Sequence, residues 1–228
     1  MGIEPIYWMF AIPGLLLSIF AQIYVKTTFN KYSKEDSESG KTGLDAAEEI
    51  KKGENFSVDI LPNRQPLGDY FDPTQNIVAI SSENVSSKSV SNIAVVAHEM
   101  GHVQQKFSAS GIYNFRRTLV PITNIGTNIG YILFFIGLLI TQFKLAQLGL
   151  ILFSTGVLFS LITIPVELDA SKRGMKFIEK YNLITEGKRG GAREVLNAAA
   201  LTYFAGLVSS ILNLMYYASL LNSRQKRR

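Results

Sequence analysis

The chain contains no cysteine, and only two histidines among its 228 residues. Without cysteine it cannot build a disulfide scaffold, an iron–sulfur cluster or a thiolate-ligated zinc site. Two histidines leave room for one small imidazole site. Charge is also scarce: 18% of residues are Asp, Glu, Lys or Arg, 47% are hydrophobic, and the net charge is +5. The scarcity is local. Residues 5–25 carry no charge, residues 119–166 carry only Lys144, and residues 198–223 carry none. A bilayer core of roughly 30 Å needs about 20 apolar residues per helix. The chain therefore reads as an integral membrane protein. Residues 26–118 differ, with 11 basic and 12 acidic side chains, a balance suited to water. The length fits one or two domains with a sizeable core.

Four membrane spans are expected, at about 6–25, 120–141, 145–165 and 198–221, with a tight turn at Gln142, Phe143 and Lys144. Tyr7, Trp8 and Tyr24 suit the interfaces of the first span. It has no basic leader and exceeds the usual apolar core of a signal peptide, so it reads as an anchor. Lys26, Lys31 and Lys34 follow span one, whereas Glu4 precedes it. Arg116 and Arg117 precede span two, and Lys172, Arg173, Lys176 and Lys180 follow span three. The excess of cytoplasmic Lys and Arg seen in membrane proteins places these loops inside and the N-terminus outside. The tail RQKRR at 224–228 disagrees, because a complete fourth crossing would put it outside. The expected organisation is an anchor at 1–25, a cytoplasmic α+β region at 26–118, a membrane hairpin at 119–166, a cytoplasmic helical segment at 167–197, and a last span with basic tail at 198–228.

Within the soluble region, residues 33–41 are polar and serine-rich and read as a linker. Thr42, with Asp45 three positions on, starts a helix that should stop at Gly53. Short strands are expected at 57–61 and 76–80, the second following a turn at Asp72-Pro73-Thr74. A helix is expected over 90–107, with several serines before it as caps. No Gly-rich phosphate loop precedes a helix.

That last helix carries His98-Glu99-Met100-Gly101-His102, an HExxH pattern. Residues i and i+4 share a helix face, so both imidazoles can reach one metal ion. Neutral imidazole suits Zn²⁺. Glu99 falls beside the metal's water rather than on the metal. There it can act as general base and then return the proton to a leaving amine.

A catalytic zinc usually takes three protein ligands and keeps one position open. With no further His and no Cys, the third must be Asp or Glu. It must lie on the same side of the membrane as residue 98, so an even number of crossings separates them. Spans two and three supply two. Glu167 and Asp169, 65 and 67 positions past His102, are the first acidic residues after the motif. Either can complete the set. A protease also needs a donor for the oxyanion. Tyr203 is the first candidate and Asn197 the weaker one. The 76–80 strand could offer an edge to an extended substrate.

These segments together resemble the YugP-like family of bacterial membrane zinc metallopeptidases. The resemblance covers nearly the whole chain: the anchor followed by Tyr32-Ser33, the Thr42-Gly43 helix start, Asp69-Tyr70-Phe71-Asp72-Pro73, Ala94 to His102, Pro165 to Ser171, and Ala200-Leu201-Thr202-Tyr203. The family is more distantly similar to HtpX-like and CAAX-processing membrane metalloproteases. Those relatives take their third zinc ligand from the Glu of an E-x-x-A-D segment beyond a membrane hairpin. The resemblance assigns Glu167 to that ligand position and Ala170 to the Ala. Ser171 departs from the pattern, standing where those relatives have Asp. Asp169 could instead orient a ligating histidine.

The expectation is a mainly α membrane protein with about four transmembrane helices and a cytoplasmic zincin-like α+β region holding a small β-sheet. It would sit in the cell membrane as a multi-pass metallopeptidase with its active site facing the cytoplasm. One Zn²⁺ would be held by His98, His102 and Glu167, with Glu99 as base. Its substrates would be peptides or membrane proteins at the bilayer surface. Another zinc hydrolase such as an amidase, or a scaffold or chaperone with structural zinc, are the alternatives. A transporter is disfavoured because the spans hold no ionisable residue apart from Lys144 in a turn. Nucleic-acid binding is disfavoured because the basic tail has no folded reader.

Overall fold

The computed structural model describes residues 5–65 and 68–226. The reading of Glu4 and the last two arginines of the basic tail lie outside the described residues. The chain is mainly helical, and among the described residues four helical segments are long and apolar enough to cross a membrane: Ile6–Tyr32, Gly111–Leu139, Phe143–Lys180 and Glu186–Lys226. The fold divides into two compact units.

One unit comprises the chain up to Gln22, Phe115–Pro165 and the chain from Thr202 onward. It takes the first part of α1 (Pro5–Tyr32), most of α5 (Gly111–Leu139), all of α6 (Phe143–Phe153), the start of α7 (Thr155–Lys180) and the end of α8 (Arg189–Lys226). Its helices pack through small residues, Gly130 against Gly149 and Gly137 against Ala146, as expected where lipid supplies no hydrophobic drive between helices. Ser18 and Ser209 are 3.1 Å apart, and Ser209 also bonds the Gly14 carbonyl at 3.2 Å. The turn before α6 falls at Ile140–Gln142, with Thr141 at a φ of 57°, slightly earlier than the sequence suggests.

The other unit comprises Ile23–Asn114 and Val166–Leu201. It takes the end of α1, and its α2 (Gly43–Gly53) begins after Thr42 because a full capping box forms there. Residues 33–41 are not a loose linker. Asp36 bridges to Ser89, Ser37 is fully buried, and the Ser37 amide and carbonyl bond Lys88 and Thr185. The correction is physical: serines can satisfy buried backbone groups, so a serine-rich segment can be packed.

The sheet has three strands in the order β1 (Asp59–Asn63), β3 (Ile77–Ser81), β2 (Tyr70–Asp72). β1 pairs parallel with β3, and β2 pairs antiparallel with it. β3 is therefore central and cannot be the edge that the sequence suggested for an extended substrate. β2, read as part of a turn, is an edge strand. After the short α3 (Ser82–Ser86), Ser89 caps α4 (Val90–Phe107). α4 packs its apolar face, including Ile93, Val96 and Met100, into a core shared with Ile50, Val78 and Ile178.

Candidate metal centre

α4 carries the two histidines, and the second half of α7 lies across it. Two glycines set this close crossing. A Cβ at Gly101 would collide with the Ala170 carbonyl oxygen, and one at Gly174 would come within 2.9 Å of the Ala97 carbonyl oxygen. Glu167 lies one turn before Ala170, so the crossing presents its carboxylate to the histidines.

His98, His102 and Glu167 form a cluster whose ligand atoms lie within 4.8 Å of one another. Glu167 Oε2 is 3.3 Å from Nε2 of each histidine. The three side chains are 13%, 12% and 5% exposed, respectively. Zinc held by bonds of about 2.0–2.1 Å in a tetrahedron separates neighbouring donors by roughly 3.3–3.4 Å. The two histidine–carboxylate spacings match that edge, and two nitrogens with one carboxylate oxygen are an ordinary zinc donor set. The residues present fit the ion.

The outer nitrogens of both rings are engaged. His98 Nδ1 lies 3.1 Å from Ser171 Oγ, and His102 Nδ1 lies 2.9 Å from Gln105 Oε1. Both Nε2 atoms are thereby turned toward Glu167. Ser171, the departure from the relatives' Asp, takes up His98 with a neutral hydroxyl. Asp169 is not in the cluster. It accepts from Gln105 Nε2 at 2.9 Å and from Arg173 Nε at 2.7 Å.

Glu99 faces the sheet edge. The Phe71 amide of β2 donates to its Oε2 at 3.0 Å. Loss of hydration among closely packed groups pushes the Glu99 carboxyl above its usual range. Asp69 fixes the start of β2, accepting from the Ser81 amide, the Ser81 hydroxyl and Asn84 at 2.9, 2.9 and 2.7 Å.

Asn197 lines a cleft of about 350 Å³ shared with Ser171, Leu168 and Met175. Tyr203 belongs to the membrane unit, on α8. Sequence reading missed three neighbours of the site. Gln105 is fully buried, Tyr113 is 5% exposed with its ring 6.4 Å from that of His102, and the Phe71 amide holds Glu99. Gln105 left a signal, being a polar residue at i+3 from His102 on a helix with a buried face.

An HExxH helix crossed by a second helix that delivers a carboxylate brings together a donor set suited to zinc. The chain belongs to the family described as "Putative neutral zinc metallopeptidase", which matches residues 7–222. It is 37% identical over 217 residues to the "Putative membrane protease YugP" of Bacillus subtilis (strain 168), covering 94% of this chain and 96% of that protein. No solved structure matches it.

Proposed function

We propose that this protein is a membrane-embedded zinc endopeptidase that hydrolyses peptide bonds at the cytoplasmic surface of the cell membrane. The observation that carries the reading is the convergence of His98 Nε2, His102 Nε2 and Glu167 Oε2, with both histidine–carboxylate spacings at 3.3 Å. Those three residues would hold a single Zn²⁺. When bound, zinc polarises the scissile carbonyl and makes water acidic enough to attack near neutral pH.

The remaining steps belong to the protein. Glu99, held at Oε2 by the Phe71 amide, takes the proton of the attacking water and delivers it to the departing amine. Ser171 and Gln105 steady the two imidazoles. Peptides or membrane proteins are the proposed substrates, because Glu167 follows directly on the apolar stretch that ends at Pro165 in the same helix.

A scaffold holding structural zinc is the second reading. The position of Glu99 beside the cluster, outside the ligand set, favours the enzyme. Replacing Glu99 with Gln separates the two readings. Peptide hydrolysis in detergent or vesicles should fall by at least about 100-fold, while zinc content stays at the wild-type level. A Glu99→Gln protein as active as wild type would reject Glu99 as the base.

A further inference from the structure

Gln105 is a fully buried polar side chain that neither the histidine motif nor the proposed ligand set uses. Its amide end has three partners. The nitrogen donates to the Val166 carbonyl at 2.8 Å and to Asp169 Oδ2 at 2.9 Å. The oxygen lies 2.9 Å from His102 Nδ1. Val166 and Asp169 flank Glu167 on α7 by one residue before and two after. Asp169 is held in turn by Arg173 Nε at 2.7 Å, and Arg173 Nη1 reaches back to Gln104 at 3.1 Å.

The chemistry of these partners fixes the arrangement. A carbonyl and a carboxylate oxygen can only accept, so the amide group facing them must be the NH₂. Its oxygen then faces His102 and can only accept. His102 Nδ1 must therefore carry the proton, which leaves the lone pair on Nε2, directed at Glu167. His98 has no such lock, because the Ser171 hydroxyl can donate or accept.

We infer that Gln105 is a positioning residue: held by the Val166 carbonyl and Asp169, it locks His102 with its proton on Nδ1 and its Nε2 turned to the metal, coupling the ring's orientation to the helix that carries Glu167. This rests on the reading of His102 as a zinc ligand. One side chain thus ties both ligand-bearing helices together, and the chain Arg173–Asp169–Gln105–His102 aligns the second histidine through charge and shape.

The test uses the full-length zinc-loaded protein in detergent, purified without a histidine tag, and measures zinc affinity by competition with a chromophoric chelator. Partners that orient a metal-bound histidine typically contribute 10–100-fold in affinity. Gln105→Leu should weaken zinc binding by about that factor. Asp169→Ala should weaken it less, by about tenfold, and should add nothing on top of Gln105→Leu, because both cut one chain. Ser171→Ala acts on the other ring, so its effect should add to that of Gln105→Leu. With only two histidines in the sequence, ¹⁵N-histidine spectra of the zinc-loaded protein contain two rings. The slowly exchanging Nδ1–H of His102 should be lost in Gln105→Leu and retained in Ser171→Ala.

Zinc affinity of Gln105→Leu within twofold of wild type, or full additivity with Asp169→Ala, would overturn the inference. Should Gln105→Leu fail to fold, Asp169→Ala carries the test, since its carboxylate is part-exposed, and unchanged affinity there is equally negative. His102→Ala separates the two levels. If it binds zinc as wild type does, the ligand reading itself falls. If it loses zinc while Gln105→Leu does not, only the inference about Gln105 falls.

Discussion

At Gly101 the site depends on the absence of a single methyl group. Glycine in a helix interior costs about 1 kcal/mol relative to alanine, so Gly101→Ala would stabilise an isolated α4. In the folded chain the new Cβ meets the Ala170 carbonyl oxygen, a main-chain atom that no rotamer change can move aside. Overpacking of this kind costs about 1–3 kcal/mol, and an obstructing backbone puts it toward the upper end. The collision should win. Gly101→Ala should lower the unfolding temperature and weaken zinc binding, because α7 can move off only by taking Glu167 with it. Gly190→Ala is the control, since a Cβ there meets nothing within 4 Å. Equal behaviour of the two variants would mean that the crossing is not what holds the site. His98, Glu99 and His102 were legible in the sequence because one helical turn contains their geometry. Glu167 needed the count of membrane crossings and the family pattern, and Asp169 stayed open beside it. Gln105 showed only as a polar residue one turn past His102; its role was not legible, because that depends on Val166 and Asp169, more than 60 positions away along the chain.

Among the elements, α2 and α4 follow from their caps. Thr42 and Asp45 satisfy each other reciprocally: the Thr42 amide and hydroxyl donate to Asp45 Oδ2 at 2.8 and 2.7 Å, and the Asp45 amide donates to Thr42 Oγ1 at 3.1 Å. The Thr42 amide first, and its hydroxyl second, hold the Asp45 carboxyl below its ordinary value of 3.8. A carboxyl depressed by folding stabilises the native state fully above its unfolded value, and that contribution is lost as pH falls through the folded value. Asp45→Asn should therefore destabilise the protein at pH 7 by less than the ~1 kcal/mol of a full helix cap, because Asp45 is exposed to solvent and Asn keeps one acceptor oxygen. The gap from wild type should hold above about pH 4 and narrow as unfolding is followed to lower pH. A gap independent of pH would show that the carboxylate's charge plays no part in the cap. The sheet was less readable than the helices. β1 and β3 each lie within two residues of expectation, but the three-residue β2 sits inside a sequence rich in turn formers. Its pairing comes from Asp69 bonding Ser81 and Asn84, a contact between segments that no local pattern announces.

For the whole molecule, composition revealed the four apolar stretches but not how far their helices run. α7 continues to Lys180 and α8 begins at Arg189, well outside the charge-free segments, because a helix already nucleated extends cheaply once its next face has a core to pack on. Met175, Phe177 and Ile178 provide that face on α7. The orientation in the membrane is a separate matter, resting on where Lys and Arg cluster. Having no cysteine, the wild-type chain is already the background for single-cysteine labelling. Ser82, Gln142 and Asn222 are exposed positions in three different segments. If the loops at 26–118 and 167–197 face the cytoplasm, Ser82→Cys should react with an impermeant maleimide only after the cells are opened. Gln142→Cys should react in intact cells, because two crossings must separate His98 from Glu167. Asn222→Cys then decides between the loops and the basic tail. Reaction from outside means the fourth helix crosses completely and the nearer basic residues outvote the terminal ones. Protection of Asn222→Cys means the end of α8 stays on the cytoplasmic side, held by Arg224 and Lys226. Reaction of Ser82→Cys in intact cells would reverse the whole assignment and put the metal centre on the outer face.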